Sequence, residues 1–307
     1  MKNPFCLSAV YKTVDDGELK ADIQVPYAKE GYPFGVKCPV FIDIPSEAGL
    51  GVSYSIVNRQ HSEDLVHARR GVAVSPEYRA LDPSANGSSS SLLSAPIQDC
   101  RDLLAWVYDG GLQRALDAEH PGLYPVDYDR VYASGMSYGG LLALSLANSR
   151  KGWDVPRTVA GILDVSGPCN FSDDRWRAAS QTVASGLSSQ QRHADPSSLR
   201  IEPATTHSSI FDVIFAPDDK LDAHNELDPA RNVHSTFPPV FIVHGLGDEL
   251  VPIELSRHLL GQLQTKGVRC EMVEVEGAGH LFASKLRDSP EAAKQVSRGM
   301  DFLTSSE

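Results

Sequence analysis

Gly135-Met136-Ser137-Tyr138-Gly139 matches G-x-S-x-G, a pattern that sets a serine hydroxyl on a sharp strand-to-helix turn where it can attack an electrophilic carbonyl. The flanks supply that context: residues 130–135 (RVYASG) read as a buried strand, and GGLLALSLANS as a helix whose Gly and Ala residues allow close approach to a sheet. A serine hydroxyl is a weak nucleophile until an imidazole takes its proton, and the imidazole needs an acid to hold its tautomer and stabilise its charged form. Two later strand ends offer those groups. His244-Gly245-Leu246-Gly247-Asp248 follows PPVFIV and puts Asp248 in a short turn closed by Val251-Pro252, while Gly277-Ala278-Gly279-His280 follows RCEMVEVEG. Asp248 also suits a plain turn or helix-cap carboxylate, with Glu249 its nearest rival, and His280 also suits a loop histidine bonded to backbone. His244, flanked by apolar residues, reads as structural.

These groups need a scaffold that brings three distant loops together. VYKTVDDGELKADIQVP alternates in period two around Asp16-Gly17 and predicts an antiparallel hairpin. PVFIDIP (39–45) reads as an apolar strand, SEDLVHARRG as a helix capped by Ser62 and ended by Gly71, and GVAVSPEY (71–78) as the next strand. After a Ser-rich loop at 82–95, a helix is expected from Ala95-Pro96 through DCRDLLAWVYDG, with Leu103, Leu104 and Val107 on one face. TVAGILDVSG (158–167), PPVFIVHG and RCEMVEVEG are further strands, and ELSRHLLGQLQTKG and residues 290–304 further helices. Alternating strands and helices imply an α/β fold with a mainly parallel sheet covered on both faces and chemistry at the strand C-termini. The alternation breaks at 169–236, where Ser, Asp, Pro and His are frequent. That predicts a core of 1–168 and 237–307 with 169–236 as an inserted lid.

A net charge of −12 gives no electrostatic reason to approach nucleic acid or an anionic membrane surface. The start, MKNPFCLSAV, lacks the apolar run of a signal peptide, and no stretch reaches the roughly 20 apolar residues a membrane helix needs, so the expected location is cytoplasmic. Five cysteines are far apart with no CxxC spacing, and His193, His207, His224 and His234 are irregularly spread. Neither a disulfide framework nor a zinc site is indicated, and no cofactor is implied. The expected partner is a small-molecule substrate; oligomeric state stays open, a homodimer included.

The order Ser137, Asp248, His280 is the one expected of an α/β-hydrolase, and the chain resembles the hormone-sensitive-lipase-like and carboxylesterase-like branch of that superfamily over nearly its whole length. GMSYGG, HGLGDELVP and GAGH carry the likeness. So do Ser75–Arg79 (SPEYR), similar to a strand-ending D-Y-R motif, and QDCRDLLAWV, similar to the helix before the nucleophile strand. The resemblance implies an eight-stranded sheet, acyl-enzyme chemistry and a lid made partly from the region after strand six, here residues 169–236. One segment departs from the pattern. Where the family carries an HGGG-type oxyanion segment, this chain has Ile44-Pro45-Ser46-Glu47, with Gly49 and Gly51 slightly later. Proline has no N–H, which leaves Ser46, Glu47 or Ala48, or a Tyr78 or Tyr54 hydroxyl, to join the Tyr138 N–H as oxyanion donors.

The leading expectation is a serine hydrolase that cleaves a carboxylic ester, lactone or thioester of a small hydrophobic molecule through an acyl-enzyme. The alternative is a hydrolase-fold dehydratase, lyase or cyclase of specialised metabolism, with His280 as general base and an atypical oxyanion site. A catalytically inert binding protein is the third class. In the insertion, Phe171, Trp176, Ile201, Ile210, Phe211, Val213, Ile214 and Phe215 suit either an apolar wall for a polyketide-like acyl group or ordinary lid packing, and Arg175 and Arg177 suit a substrate carboxylate or a solvated face.

Overall fold

The computed structural model describes residues 5–15, 17–26, 35–46, 65–66, 68–79, 89–148, 157–176, 226–280, 282–283 and 289–305. Eight strands form one sheet in the order β1-β2-β4-β3-β5-β6-β7-β8. They are β1 (Phe5–Val14), β2 (Gly17–Val25), β3 (Cys38–Ile44), β4 (Val72–Pro76), β5 (Val126–Met136), β6 (Gly161–Val165), β7 (Val240–Gly245) and β8 (Cys270–Val275). The expected hairpin forms, with Val14 opposite Gly17, and β2 meets β4 antiparallel; every other pairing is parallel. Helices α1 (Ser89–Tyr108), α2 (Gly111–Glu119), α3 (Tyr138–Ser145), α4 (Ile253–Thr265) and α5 (Pro290–Thr304) cover the sheet.

Period-two alternation sorts the core into two layers. Val40, Ile42, Val131, Ala133, Val240 and Ile242 join a cluster with Leu104 of α1, Leu141 of α3 and Leu259 of α4. Phe41, Tyr132, Phe241 and Val243 point the other way, onto Leu65 and onto Val296 and Met300 of α5. Strands buried on both faces lack polar alternation, which is why PVFI and VFIV read as continuous apolar runs.

Two elements differ from the sequence reading. Helix α1 starts at Ser89, ahead of Ala95, and holds Pro96 inside it. Leu93 and Ile97 are fully buried in line with Cys100 and Leu104, so packing of this stripe outweighs the hydrogen bond that Pro96 cannot donate. The short helix α2 was not anticipated; it is set off from α1 by Gly110 in the left-handed region, φ 78°.

β4 lies on one side of β3 and β5 on the other. The chain therefore leaves the C-terminal ends of β3 and β5 in opposite directions, which opens a crevice there. The loop after β3 and the turn after β5 flank it.

Asp164 is the unexpected charge in this layer. It lies on β6, fully buried; Oδ1 accepts the Gly167 N–H at 3.0 Å, while Oδ2 is buried with no hydrogen-bond partner among the described residues. Burial pushes its pKa up to about 7, outweighing the lowering by the Gly167 N–H. The folded chain thus keeps a proton that the unfolded chain releases near pH 4, so this group's contribution to stability falls as pH rises from about 4 to about 7. Above that range the ionised form carries a constant penalty of ~4 kcal/mol. Asp164→Asn keeps the acceptor for Gly167 and cannot ionise. Its thermal midpoint should exceed that of the natural chain at pH 8, with the gap closing toward pH 4; an equal or larger loss at pH 8 would count against a protonated Asp164.

Candidate active site

Ser137 stands between the last residue of β5 and the first of α3, at φ 54°, ψ −123°. A non-glycine residue in this region is strained by roughly 1–3 kcal/mol and persists only where its surroundings over-determine it. They do so here. The Ser137 N–H donates to the Val165 carbonyl at 2.8 Å, and the Ser137 carbonyl accepts from Leu141 N at 3.1 Å, so strand and helix each hold one side of the turn. The helix also passes very close to the sheet. A Cβ on Gly135 would come within 2.2 Å of the Gly139 backbone, and one on Gly139 within 2.2 Å of the Ile44 carbonyl oxygen. The two motif glycines are therefore steric requirements, and they bring the end of β3 against the turn that presents Ser137.

The side chains of Ser137, His280 and Asp248 meet across the C-terminal ends of β5, β7 and β8. The Ser137 hydroxyl donates to His280 Nε2 at 2.8 Å, and His280 Nδ1–H donates to Asp248 Oδ2 at 2.8 Å. Glu249, the rival acid, is exposed. The Asp248 side chain is fully buried and that of His280 is 8% exposed. Asp248 Oδ1 accepts the Leu250 and Val251 N–H groups, both at 2.9 Å. Burial alone would raise its pKa, but hydrogen bonds from His244, His280 and the Val251 N–H together hold it well below the ordinary carboxylate range. Asp248 is thus an anion at neutral pH, as required of a group that fixes the imidazole tautomer and stabilises its cation.

On the far side of Ser137, α3 begins at Tyr138, whose backbone N–H is one of the first-turn donors that no helical carbonyl uses. The segment after β3 runs close by, with Pro45 buried and Ser46 half-buried; Glu47, Gly49, Gly51 and Tyr54 lie outside the described residues. The Tyr78 hydroxyl, expected as an oxyanion donor, instead donates to the Pro45 carbonyl at 2.6 Å. Its single proton is engaged there, and the residue acts as a clamp on this segment. Arg79 next to it is anchored through its backbone N–H and its guanidinium to Asp99, which is fully buried and also meets Lys12 Nζ at 2.6 Å. Burial raises the Asp99 pKa, but Arg79 and Lys12 outweigh it and hold the group below its usual value. Asp99 and Lys12 went unread in the sequence because nothing marks which surface-type charges a fold will bury. Tyr78 and Arg79 were visible in SPEYR, though not their targets.

Within residues 169–236, Ile201 to Phe215, Arg177, His193, His207 and His224 lie outside the described residues. The described stretches at 169–176 and 226–236 are tied together by Asp228, whose carboxylate accepts Asn170 N at 2.7 Å, Phe171 N at 2.9 Å and Ala230 N at 3.0 Å. Phe171 and Trp176 are buried in the main core, and the Trp176 indole donates to the Cys169 and Asn170 carbonyls at 3.2 Å. Arg175 is paired with Asp173, and His234 bonds to Thr236 and the Ala147 carbonyl. Among the described residues, no helix is long and apolar enough to cross a membrane, and no group of three His, Cys, Asp or Glu could hold a metal.

The family model described as BD-FAE matches residues 57–263. The chain is 26% identical over 97% of its length to a non-reducing polyketide synthase, prhL, of Penicillium brasilianum, of which it spans only 14%. Among solved structures it is similar to a thermophilic esterase, Est2 of Thermogutta terrifontis with propionate bound, at TM-score 0.67 and 21% identity, covering 97% of this chain and 93% of that one. The same esterase phosphorylated by paraoxon matches at TM-score 0.65 and 20% identity, covering 98% and 94%. These structures share the fold of this chain, whose sheet has eight strands, and the α/β-hydrolase resemblance read from the motifs holds. With most of its length matched by the family model, the chain belongs to the BD-FAE family, an α/β-hydrolase-type esterase family.

Proposed function

We propose that the protein is a serine hydrolase that cleaves a carboxylic ester, lactone or thioester of a small apolar molecule, with Ser137, His280 and Asp248 as its catalytic residues. The observation that carries this reading is the unbroken line from Ser137 Oγ through His280 to the buried, ionised Asp248, both links 2.8 Å long. His280 Nε2 takes the Ser137 proton as Oγ attacks the carbonyl carbon. The resulting oxyanion meets the Tyr138 N–H at the start of α3, with a second donor drawn from the segment beyond Pro45, Ser46 or Glu47. The His280 imidazolium then protonates the leaving group, and water, deprotonated by the same imidazole, releases the acid from the acyl-enzyme. Relatives named as non-reducing polyketide synthases favour a polyketide-like acyl group and a place in specialised metabolism. Residues 169–236 form the lid in this reading, supported by the Asp228 tie that closes the insertion at its neck.

Hydrolysis of p-nitrophenyl acetate and butyrate tests the reaction class. Ser137→Ala and His280→Ala should each lower kcat by about a thousandfold or more, with folding intact by circular dichroism. Absence of turnover by the natural chain across short-chain esters would contradict the proposal.

A non-hydrolytic reading is favoured by Pro45, buried where an N–H donor is expected. In a dehydratase, lyase or cyclase using His280 as general base, Ser137→Ala would retain most activity on the physiological substrate while His280→Ala would not.

Tyr78→Phe reads the oxyanion side separately. It removes the clamp on Pro45 and leaves the Ser137–His280–Asp248 line untouched, so kcat should fall about tenfold with KM little changed and with about 1 kcal/mol of stability lost. An unaltered kcat would mean that the Pro45 segment takes no part in transition-state stabilisation.

A further inference from the structure

His244 is the last polar side chain before the Asp248 turn and is fully buried, so it cannot reach a substrate. Its Nε2 lies 2.9 Å from the Val251 carbonyl oxygen and 3.2 Å from Asp248 Oδ2. Both are acceptors, so Nε2 carries a hydrogen and donates to both. Its Nδ1 faces the Ser256 hydroxyl at 2.8 Å; Ser256 is fully buried in the first turn of α4. A neutral ring with its hydrogen on Nε2 leaves Nδ1 free to accept the Ser256 proton, which satisfies every polar atom of the pair.

The consequence falls on Asp248. Its Oδ1 is filled by the Leu250 and Val251 N–H groups, while Oδ2 is shared between His280 and His244. Val251 closes the loop, giving its N–H to Asp248 and its carbonyl to His244. Four donors thus fix the plane of a carboxylate that water does not reach. Without His244, Oδ2 would keep His280 alone, and the carboxylate could turn about its own axis. A buried anion short of one donor is also costly, which favours its protonated form and weakens its hold on His280.

We infer that His244, set by Ser256, is a positioning residue that orients Asp248 Oδ2 toward His280 and keeps it ionised, acting on the reaction only through Asp248. The inference rests on the proposed hydrolase reading, in which Asp248 is the acid of the triad. It separates His244 from the ordinary buried histidine that its apolar flanks suggest.

The experiment uses the full chain with p-nitrophenyl butyrate and compares variants at position 244, each with its thermal midpoint recorded. His244→Leu removes the donor. His244→Asn keeps an amide within reach of Ser256 but too short for Asp248, and serves if the leucine variant does not fold. His244→Gln extends an amide N–H to the Nε2 position. The leucine and asparagine variants should lose 10- to 100-fold in kcat with KM within threefold of the natural chain, and the glutamine variant should recover to within threefold. In an Asp248→Asn background, His244→Asn should cost less than a further twofold. Losses that multiply in that background, or a glutamine variant as impaired as asparagine, would overturn the inference. If the natural chain itself has no esterase turnover, it is the hydrolase reading that fails, and the two failures are told apart by that first measurement.

Discussion

Ser137 occupies a backbone conformation that an isolated chain would leave at once, and three neighbouring backbones hold it there. Val165 at the end of β6 accepts its N–H, Leu141 in α3 takes its carbonyl, and Gly139 lets α3 come down onto the Ile44 carbonyl at the end of β3. No side chain fits at Gly135 or Gly139, so the turn cannot relax by drawing away from the sheet. Everything else at the site is placed relative to this contact. The strand order puts β3 and β6 on either side of β5, so the same hydrogen bonds that build the sheet also set Ser137, the start of α3 and the segment carrying Pro45 side by side.

Asp99, Asp248 and Asp164, three of the buried carboxylates among the described residues, differ in what they do because they differ in donors. Asp99 is matched by Arg79 and Lys12 and stays ionised as a tie between the hairpin, α1 and the loop that bears Tyr78. Asp248 is matched by two backbone N–H groups and two imidazoles and stays ionised as a group facing His280. Asp164 has a single N–H and is pushed toward neutrality. Burial acts on all three in the same direction, and the count and charge of the donors decide the outcome. A carboxylate at a strand end therefore says little about function until its hydrogen-bond partners are known.

Much of this was legible in the sequence because it depends on local pattern. G-x-S-x-G between an apolar strand and a small-residue helix identifies a strained turn, and Asp16-Gly17 between alternating residues identifies a hairpin; both are present. HGLGD and GAGH likewise pointed to Asp248 and His280, which line up with Ser137, since each follows a strand ending at the same edge of the sheet. What was not legible depends on contacts between distant segments. The partner of Tyr78 is 33 residues away and that of Arg79 is 20 away, and neither spacing has a sequence signature. His244 was read from its apolar neighbours as a packed histidine, although its spacing of four from Asp248 already placed the two within one turn. The start of α1 was missed because Pro96 reads locally as a helix boundary, whereas burial of Leu93 and Ile97 carries the helix through it.

The central claim is that Ser137 is an activated nucleophile rather than a serine in a structural turn. Reaction with a fluorophosphonate, followed by intact mass and peptide mapping, tests it directly. The account predicts one phosphonyl group per chain, located on Ser137, formed much more slowly when Asp248 is replaced by Asn and not at all when Ser137 is replaced by Ala. No adduct on Ser137 in the folded natural chain, or labelling that is indifferent to Asp248, would contradict it.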